Sequence, residues 1–201
     1  VKPATEFEFR IFVSPVGNYF AGGVKPLNLR ISDYDRAAPV GTGHIKAGLN
    51  YAMSLYPIVE AHEQGYDENL YLDPLTRTYI EETGGANIIF ISKDGSLVTP
   101  RSNTILPSIT RRSIVEICRD RLGMNVEERK IALEELADMK ECALCGTAAV
   151  VSPVGTIAAS DRTYTFNSVG EGSIISRISD VMSDIRSGKM DSPDGWLMKM
   201  I

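Results

Sequence analysis

The segment GTGHIKAGLNY, residues 41–51, places a single lysine, Lys46, between glycines and directly before a helical pattern. An ordinary surface lysine needs no such surroundings, whereas glycine lets a backbone turn tightly and approach a bound group closely. A lysine amine becomes a nucleophile when burial lowers its pKa below the usual value of about 10.4. Whether Lys46 does such chemistry depends on the groups that the rest of the chain supplies.

Strand and helix patterns are mixed along the chain on both sides of this segment. Alternation and apolar runs predict strands over residues 7–15, 27–35, 69–73, 78–82, 87–92, 125–131, 141–145, 148–154 and 155–159, the third and fourth forming a hairpin. Three- and four-residue spacing predicts helices over residues 48–66, 107–123, 132–140 and 173–188, the first with a kink at Pro57 and an end near Gly65. These patterns indicate a mixed α/β (α+β) fold in a single domain over residues 1–201.

The composition excludes several classes of protein. A net charge of −5 argues against a nucleic-acid or anionic membrane surface, and no apolar run approaches the roughly 18 residues of a membrane span. Three cysteines are too few for a secreted disulfide scaffold, so a reducing cytoplasm is the expected location. The chain starts at Val1 and soon enters a predicted strand, which suggests a start inside a longer protein, although ordinary processing would also explain it.

The common motifs for phosphate and zinc do not match. Lys46 lies at the wrong place for a Walker loop and occupies the position of the third glycine of a dinucleotide fingerprint. Cys142 and Cys145 form one C-x-x-C, but with His44 and His62 as the other soft ligands there is no second zinc half-site, and no metal is expected.

Lysine chemistry with a carbonyl cofactor remains, and pyridoxal 5′-phosphate (PLP) needs a lysine, a charge partner for its ring nitrogen and donors for its phosphate. Glu81 and Glu82 end a strand before two glycines, and at most one can face a site because side chains alternate along a strand. Both could equally be solvated. The segment NTILPSITRRS, residues 103–113, offers a helix start with the hydroxyls of Ser108 and Thr110 for a phosphate, or a plain helix cap.

Taken together and in order, several segments resemble the branched-chain amino-acid aminotransferases of fold type IV. The matching segments are SPVGNYFAGG (14–23), RAAPVGTGHIKAGLNY (36–51), EETGGANIIF (81–90), LVTP (97–100), NTILPSITR (103–111) and GTAAVVSPVG (146–155). The resemblance extends over nearly the whole chain and implies the large cofactor-binding domain of the D-amino-acid aminotransferase-like fold. Enzymes of this kind also have a smaller N-terminal domain, so this chain is expected to lack it and to have little activity alone.

The resemblance implies a role for each matching residue. Lys46 occupies the position of the family's lysine that forms an imine with PLP, and Tyr51 would hydrogen-bond the ring hydroxyl of the cofactor. Glu82 matches the partner of the pyridine nitrogen, which leaves Glu81 as its solvated neighbour. The other implied roles are phosphate binding by Ile109, Thr110 and Thr147, contact with the substrate carboxylate by Thr147 and Ala148, and a place in the substrate pocket for Tyr19.

Two positions depart from the family pattern. Leu49 replaces the second glycine after the lysine and Ser108 replaces a glycine of the phosphate loop, so small backbone shifts are expected at both. Cys142 and Cys145 precede the Gly-Thr-Ala sequence, whereas the redox pair of some relatives follows it, so that role is not transferred.

The implied reaction is PLP-dependent transamination of leucine, isoleucine or valine with 2-oxoglutarate. In it, Lys46 would move a proton between the substrate and cofactor carbons, and Glu82 would keep the ring nitrogen protonated. The expected partners are these small molecules and, in the longer enzyme, a second subunit of a cytoplasmic homodimer, with no nucleic acid or membrane. D-amino-acid aminotransferase and aminodeoxychorismate lyase share the fold and remain alternatives, as does a non-catalytic PLP-binding domain.

Overall fold

A nine-stranded mixed sheet organises the residues that the computed structural model describes, which are 2–15, 17 and 25–198. The strands are β1 (Leu27–Ile31), β2 (Glu68–Leu72), β3 (Ile80–Thr83), β4 (Asn87–Ser92), β5 (Leu97–Pro100), β6 (Val126–Arg129), β7 (Met139–Gly146), β8 (Val150–Ala158) and β9 (Thr163–Thr165). Their order across the sheet is β3-β2-β1-β8-β7-β4-β5-β6, with β9 paired to β8. Strand β1 is parallel to β2 and β8, β5 is parallel to β6, and the other pairs are antiparallel.

Within the described part of the chain, four α-helices accompany the sheet: α1 (Gly48–Ala52), α2 (Leu55–Glu63), α3 (Ile109–Glu116) and α4 (Ile174–Arg186). Helix α3 continues as a π-helical turn over Ile117–Arg121, and a short 3₁₀ helix spans Leu133–Asp138. Serine caps start α3 and α4, which were predicted over residues 107–123 and 173–188, because Ser108 Oγ accepts the Arg111 N–H at 3.2 Å and Ser173 Oγ accepts the Ser176 N–H at 3.1 Å. The mixed α/β class and these two helices are confirmed.

The central strands are buried on both faces, which explains their continuous apolar sequence. In β4, Ile88 and Phe90 pack into one core cluster, whereas Ile89 and Ile91 pack into the other. Helices α3 and α4 contribute to the second cluster through side chains such as Ile114 and Ile178. The loops that carry the candidate site follow β1, β5 and β7.

The prediction of a strand over residues 7–15 is wrong. They form no strand, and their side chains are exposed, with Phe7 and Phe9 at 89 %. A strand needs a neighbour for its backbone hydrogen bonds, and among the described residues this segment has none.

The predicted helix over residues 48–66 is two helices, α1 and α2, separated at Met53 and Ser54. Pro57 lies in the first turn of α2 instead of kinking one long helix, since a proline there removes an N–H that has no intrahelical partner. The predicted end near Gly65 is confirmed by a φ of +83°. The two strands predicted over 148–159 are one strand, β8, and within the described part of the chain no helix is long and apolar enough to span a membrane.

Candidate functional site

Lys46 and Tyr51 form a hydrogen-bonded pair. The Lys46 ammonium donates to the Tyr51 hydroxyl at 2.9 Å, and the same ammonium lies 4.9 Å from the centre of the Tyr51 ring. Lys46 is exposed, so it is not the buried amine that activation by desolvation alone would require. The pair instead presents an accessible amine and a phenol at the start of α1.

Asn50 holds the loop that carries Lys46, and the sequence analysis missed it. Its side chain is buried, and Nδ2 donates to the carbonyl of Thr42 at 2.7 Å and to the carbonyl of Ile45 at 2.9 Å. These bonds cross the loop just before the lysine. An asparagine directly before Tyr51 was the available signal, because a buried amide must find partners and a glycine-rich loop offers free carbonyls.

The packing around Gly43 explains why a glycine precedes Lys46. A Cβ atom on Gly43 would lie 2.1 Å from the Thr104 carbonyl oxygen, so a side chain cannot fit. At Gly48, by contrast, a Cβ atom would meet no heavy atom within 4 Å. Close packing therefore requires glycine at position 43, where the Lys46 loop touches the loop of residues 101–108.

Glu82 is buried and has several partners. Its Oε1 accepts the Leu106 N–H at 3.0 Å and lies 3.0 Å from Nη2 of Arg36, while its Oε2 accepts from Nδ2 of Asn87. Burial raises the pKa of Glu82 to about 7, against the lowering influence of Arg36 and the Leu106 N–H. A carboxyl group of this kind can hold or release a proton near neutral pH.

Arg36 is the second functional residue that the sequence analysis missed. It is 4 % exposed, and besides Glu82 its Nη2 donates to the carbonyls of Gly43, at 3.0 Å, and Thr104. One guanidinium group therefore joins the Glu82 strand to both loops of the site. The signal was a lone arginine in the otherwise small and apolar segment RAAPVG.

Glu81 is not the solvated neighbour that was expected. It is 2 % exposed, and its Oε1 accepts from the hydroxyls of Ser102, at 2.8 Å, and Thr104. The alternation along β3 does send Glu81 and Glu82 to opposite faces. The prediction was wrong because the loop of residues 101–108 covers the second face as well.

Helix α3 begins at Ile109 and offers its first N–H groups to a ligand. Ser108 Oγ takes the Arg111 N–H, and within the described residues the N–H groups of Ile109 and Thr110 have no acceptor. Ser108 has an ordinary extended conformation, φ −67° and ψ 130°, so this serine fits the loop without backbone strain. Such a helix start favours an anion such as a phosphate.

Thr147 and Ala148 are exposed in the turn between β7 and β8. The turn follows the end of β7, where Cys145 lies opposite Asn87, a partner of Glu82. No hydrogen bond among the described residues joins the Lys46–Tyr51 pair directly to Glu82, and their connection runs through Gly43. Tyr19 lies outside the described residues.

Cys142 and Cys145 are buried in different core clusters on opposite faces of β7. Burial raises the pKa of the Cys145 thiol to about 12. Both act as small apolar core residues, as the strand pattern indicated.

Comparison with known proteins identifies the family. The family model for amino-transferase class IV matches residues 9–157. A branched-chain-amino-acid aminotransferase of Haemophilus influenzae is 46 % identical over 206 residues, which cover 100 % of this chain and 60 % of that protein. This chain thus spans about 60 % of the length of that curated relative.

Solved structures of branched-chain amino acid aminotransferases are also similar to this chain. The crystal structure of the Escherichia coli branched-chain amino acid aminotransferase has a TM-score of 0.78 and 32 % identity, covering 92 % of this chain and 60 % of that one. The PLP form of the Thermobaculum terrenum branched-chain amino acid aminotransferase has a TM-score of 0.74 and 32 % identity, covering 84 % of this chain and 53 % of that one. With the family model matching most of its length, this chain belongs to the class IV aminotransferases, the fold type IV family.

Proposed function

We propose that this chain is the PLP-binding part of an enzyme that transaminates leucine, isoleucine or valine with 2-oxoglutarate. The observation that carries the proposal is the Lys46–Tyr51 pair, joined through Gly43 to the buried Glu82 and Arg36. The similarity to branched-chain aminotransferases over the whole chain supports the choice of reaction.

The residues present fit PLP group by group. An accessible amine at Lys46 suits the aldehyde, and the hydroxyl of Tyr51 suits the phenolic oxygen. The carboxyl of Glu82 suits the ring nitrogen, and the free N–H groups of Ile109 and Thr110 suit the phosphate. Thr147 would add to the phosphate site from the β7–β8 turn.

When bound, PLP supplies a ring that accepts electrons from the substrate carbon. The side chains of this protein would then hold and transfer protons and orient the bound groups. Lys46 would take and return a proton through Nζ, with Tyr51 as its hydrogen-bond partner at 2.9 Å. Glu82 would hold a proton at the ring nitrogen, and Arg36 favours the charged form that this requires.

The substrate would bind at the exposed turn that carries Thr147 and Ala148, with Tyr19 lining the side-chain pocket. We further propose that the longer enzyme works as a homodimer in the cytoplasm, on small molecules only and without a metal. The three cysteines, all free and buried, are compatible with a reducing compartment.

Titration of the chain with PLP, followed by absorbance, tests the first part of the proposal. We expect saturable binding that Lys46→Ala abolishes and that Lys93→Ala, on an exposed lysine far along the chain, leaves unchanged. No binding by the unaltered chain would contradict the proposal.

Turnover tests the substrate class. We expect transfer from L-leucine to 2-oxoglutarate, slow in this chain, which spans only part of its relatives' length. A preference for D-amino acids, or release of product from aminodeoxychorismate, would favour the two alternatives instead.

A further inference from the structure

Three side-chain oxygens meet at Glu81. Ser102 Oγ lies 2.8 Å from Glu81 Oε1 and 2.6 Å from Thr104 Oγ1, and Thr104 Oγ1 also contacts Glu81 Oε1. Ser102 Oγ further accepts the Thr104 N–H at 3.2 Å. The three oxygens therefore form a closed triangle in which every side is a hydrogen-bond contact.

Hydrogen counting indicates what this triangle needs. Each contact requires one hydrogen, and the hydroxyls of Ser102 and Thr104 bring one each, whereas an ionised carboxylate brings none. With Glu81 ionised, one pair of oxygens would face each other without a hydrogen. We propose that Glu81 carries a proton in the folded protein, so that each of the three oxygens donates once and accepts once, and that this ring positions Thr104.

The surroundings of Glu81 support the proton. Burial raises its pKa above the usual 4.5, the hydroxyls of the ring and Arg36 lower it, and Asp73 raises it. Glu81 also borders a cavity of about 450 Å³, which gives the proton a path to water. The other charged groups lining that cavity are Asp73, Arg101, Arg129 and Lys130.

Thr104 connects the hydrogen-bonded ring to the candidate site. Its carbonyl accepts from Arg36, the ion-pair partner of Glu82, and its backbone packs against Gly43 in the Lys46 loop. Glu81 is thus a positioning residue for the site. Its effect on PLP binding rests on the proposed function, whereas its protonation does not.

Carbon-13 NMR of glutamate-labelled protein tests the proton directly. We expect a carboxyl resonance that is absent in Glu81→Gln, that titrates above the usual 4.5, and that alone shifts when Ser102→Ala removes one hydroxyl. The Ser102→Ala variant keeps the carboxyl group, so it identifies the resonance even where Glu81→Gln does not fold. A Glu81 resonance that titrates at or below 4.5 would overturn the proposal.

PLP affinity measured against pH tests the positioning. As pH rises through the Glu81 titration, unaltered protein should lose affinity relative to Glu81→Gln by about threefold to tenfold, the worth of one hydrogen bond. Glutamine stays neutral, and its amide nitrogen in place of Oε1 can donate to both hydroxyl oxygens while one hydroxyl donates to the other. It should therefore keep the three contacts at every pH, whereas Glu81→Leu should bind weakly throughout. Glu63→Gln, on an exposed carboxylate of α2, should follow unaltered protein.

Parallel pH profiles of unaltered protein and Glu81→Gln would refute the positioning role. If the unaltered protein does not bind PLP at any pH, the proposed function fails, and the NMR titration still decides whether Glu81 is protonated.

Discussion

Glu81 and Glu82, neighbours on β3, hold one loop from opposite faces of the strand. Glu81 accepts from the hydroxyls of Ser102 and Thr104, and Glu82 accepts the Leu106 N–H. Arg36 completes the clamp because it donates to the Thr104 carbonyl and pairs with Glu82. The two carboxyl groups consequently have different tasks, one toward the loop and one toward the candidate site.

Glu82→Gln should lower kcat/KM of the transaminase by roughly 100-fold, because glutamine cannot hold the proton of the ring nitrogen. The measurement is turnover of L-leucine at saturating PLP. Glu81→Gln at acidic pH is the matched control, since it changes the adjacent carboxyl group and should cost little there. Equal losses in the two variants would show that the roles of the two residues are not distinct.

Borohydride reduction of PLP-treated protein should attach the cofactor to Lys46. This amine is accessible and hydrogen-bonded to Tyr51, whereas Lys93 pairs with Asp138. Peptide mapping by mass spectrometry locates the label. Modification of Lys25 or Lys93, with Lys46 untouched, would contradict the assignment.

Arg36→Met should destabilise the fold by about 3–5 kcal/mol, because it leaves the buried Glu82 without its charge partner. Urea unfolding measures the loss. The double variant Arg36→Met/Glu82→Leu should recover part of it, since no unpaired carboxyl group remains. Arg162→Met, which breaks an exposed pair with Asp161, should cost at most about 1 kcal/mol.

Gly43→Ala should severely weaken both folding and PLP binding, because its Cβ atom would lie 2.1 Å from the Thr104 carbonyl oxygen. Gly48→Ala, at the first residue of α1, is the control, because the added atom meets no neighbour within 4 Å there. Alanine favours a helix over glycine by about 1 kcal/mol, so Gly48→Ala should be neutral or stabilising. Thermal unfolding of the two variants makes the comparison, and a similar outcome for both would disprove the close-packing argument.

Glu68 should make stability depend on pH. Burial raises its pKa to about 7 from the usual 4.5, while the Asn69 N–H and His62 lower it. A raised pKa favours the protonated folded form, so this stability is fully present below 4.5 and is lost as pH rises through about 7. The difference corresponds to about 3 kcal/mol.

Urea unfolding across that pH range, in unaltered protein and in Glu68→Gln, isolates this contribution, because Glu81 and Glu82 titrate in both. Glu134→Gln, on an exposed carboxylate, should leave the pH profile unchanged. An equal fall of stability in unaltered protein and Glu68→Gln would show that Glu68 does not contribute.

The sequence alone determined the elements whose signals are local. The apolar run of β4, the hairpin of β2 and β3, and the helices α3 and α4 were predicted because propensity and burial agree there. The family was also readable from the sequence, since its motifs are short and ordered.

Only the tertiary structure decided the partners that are distant in sequence. Arg36 meets the carbonyl of Thr104, 68 residues away, and Glu81 meets Thr104, 23 residues away. Whether a carboxyl group is solvated depends on what covers it, and no local pattern shows that the loop of residues 101–108 folds over Glu81. The same holds for residues 7–15, whose alternation favours a strand but which meet no neighbouring strand among the described residues.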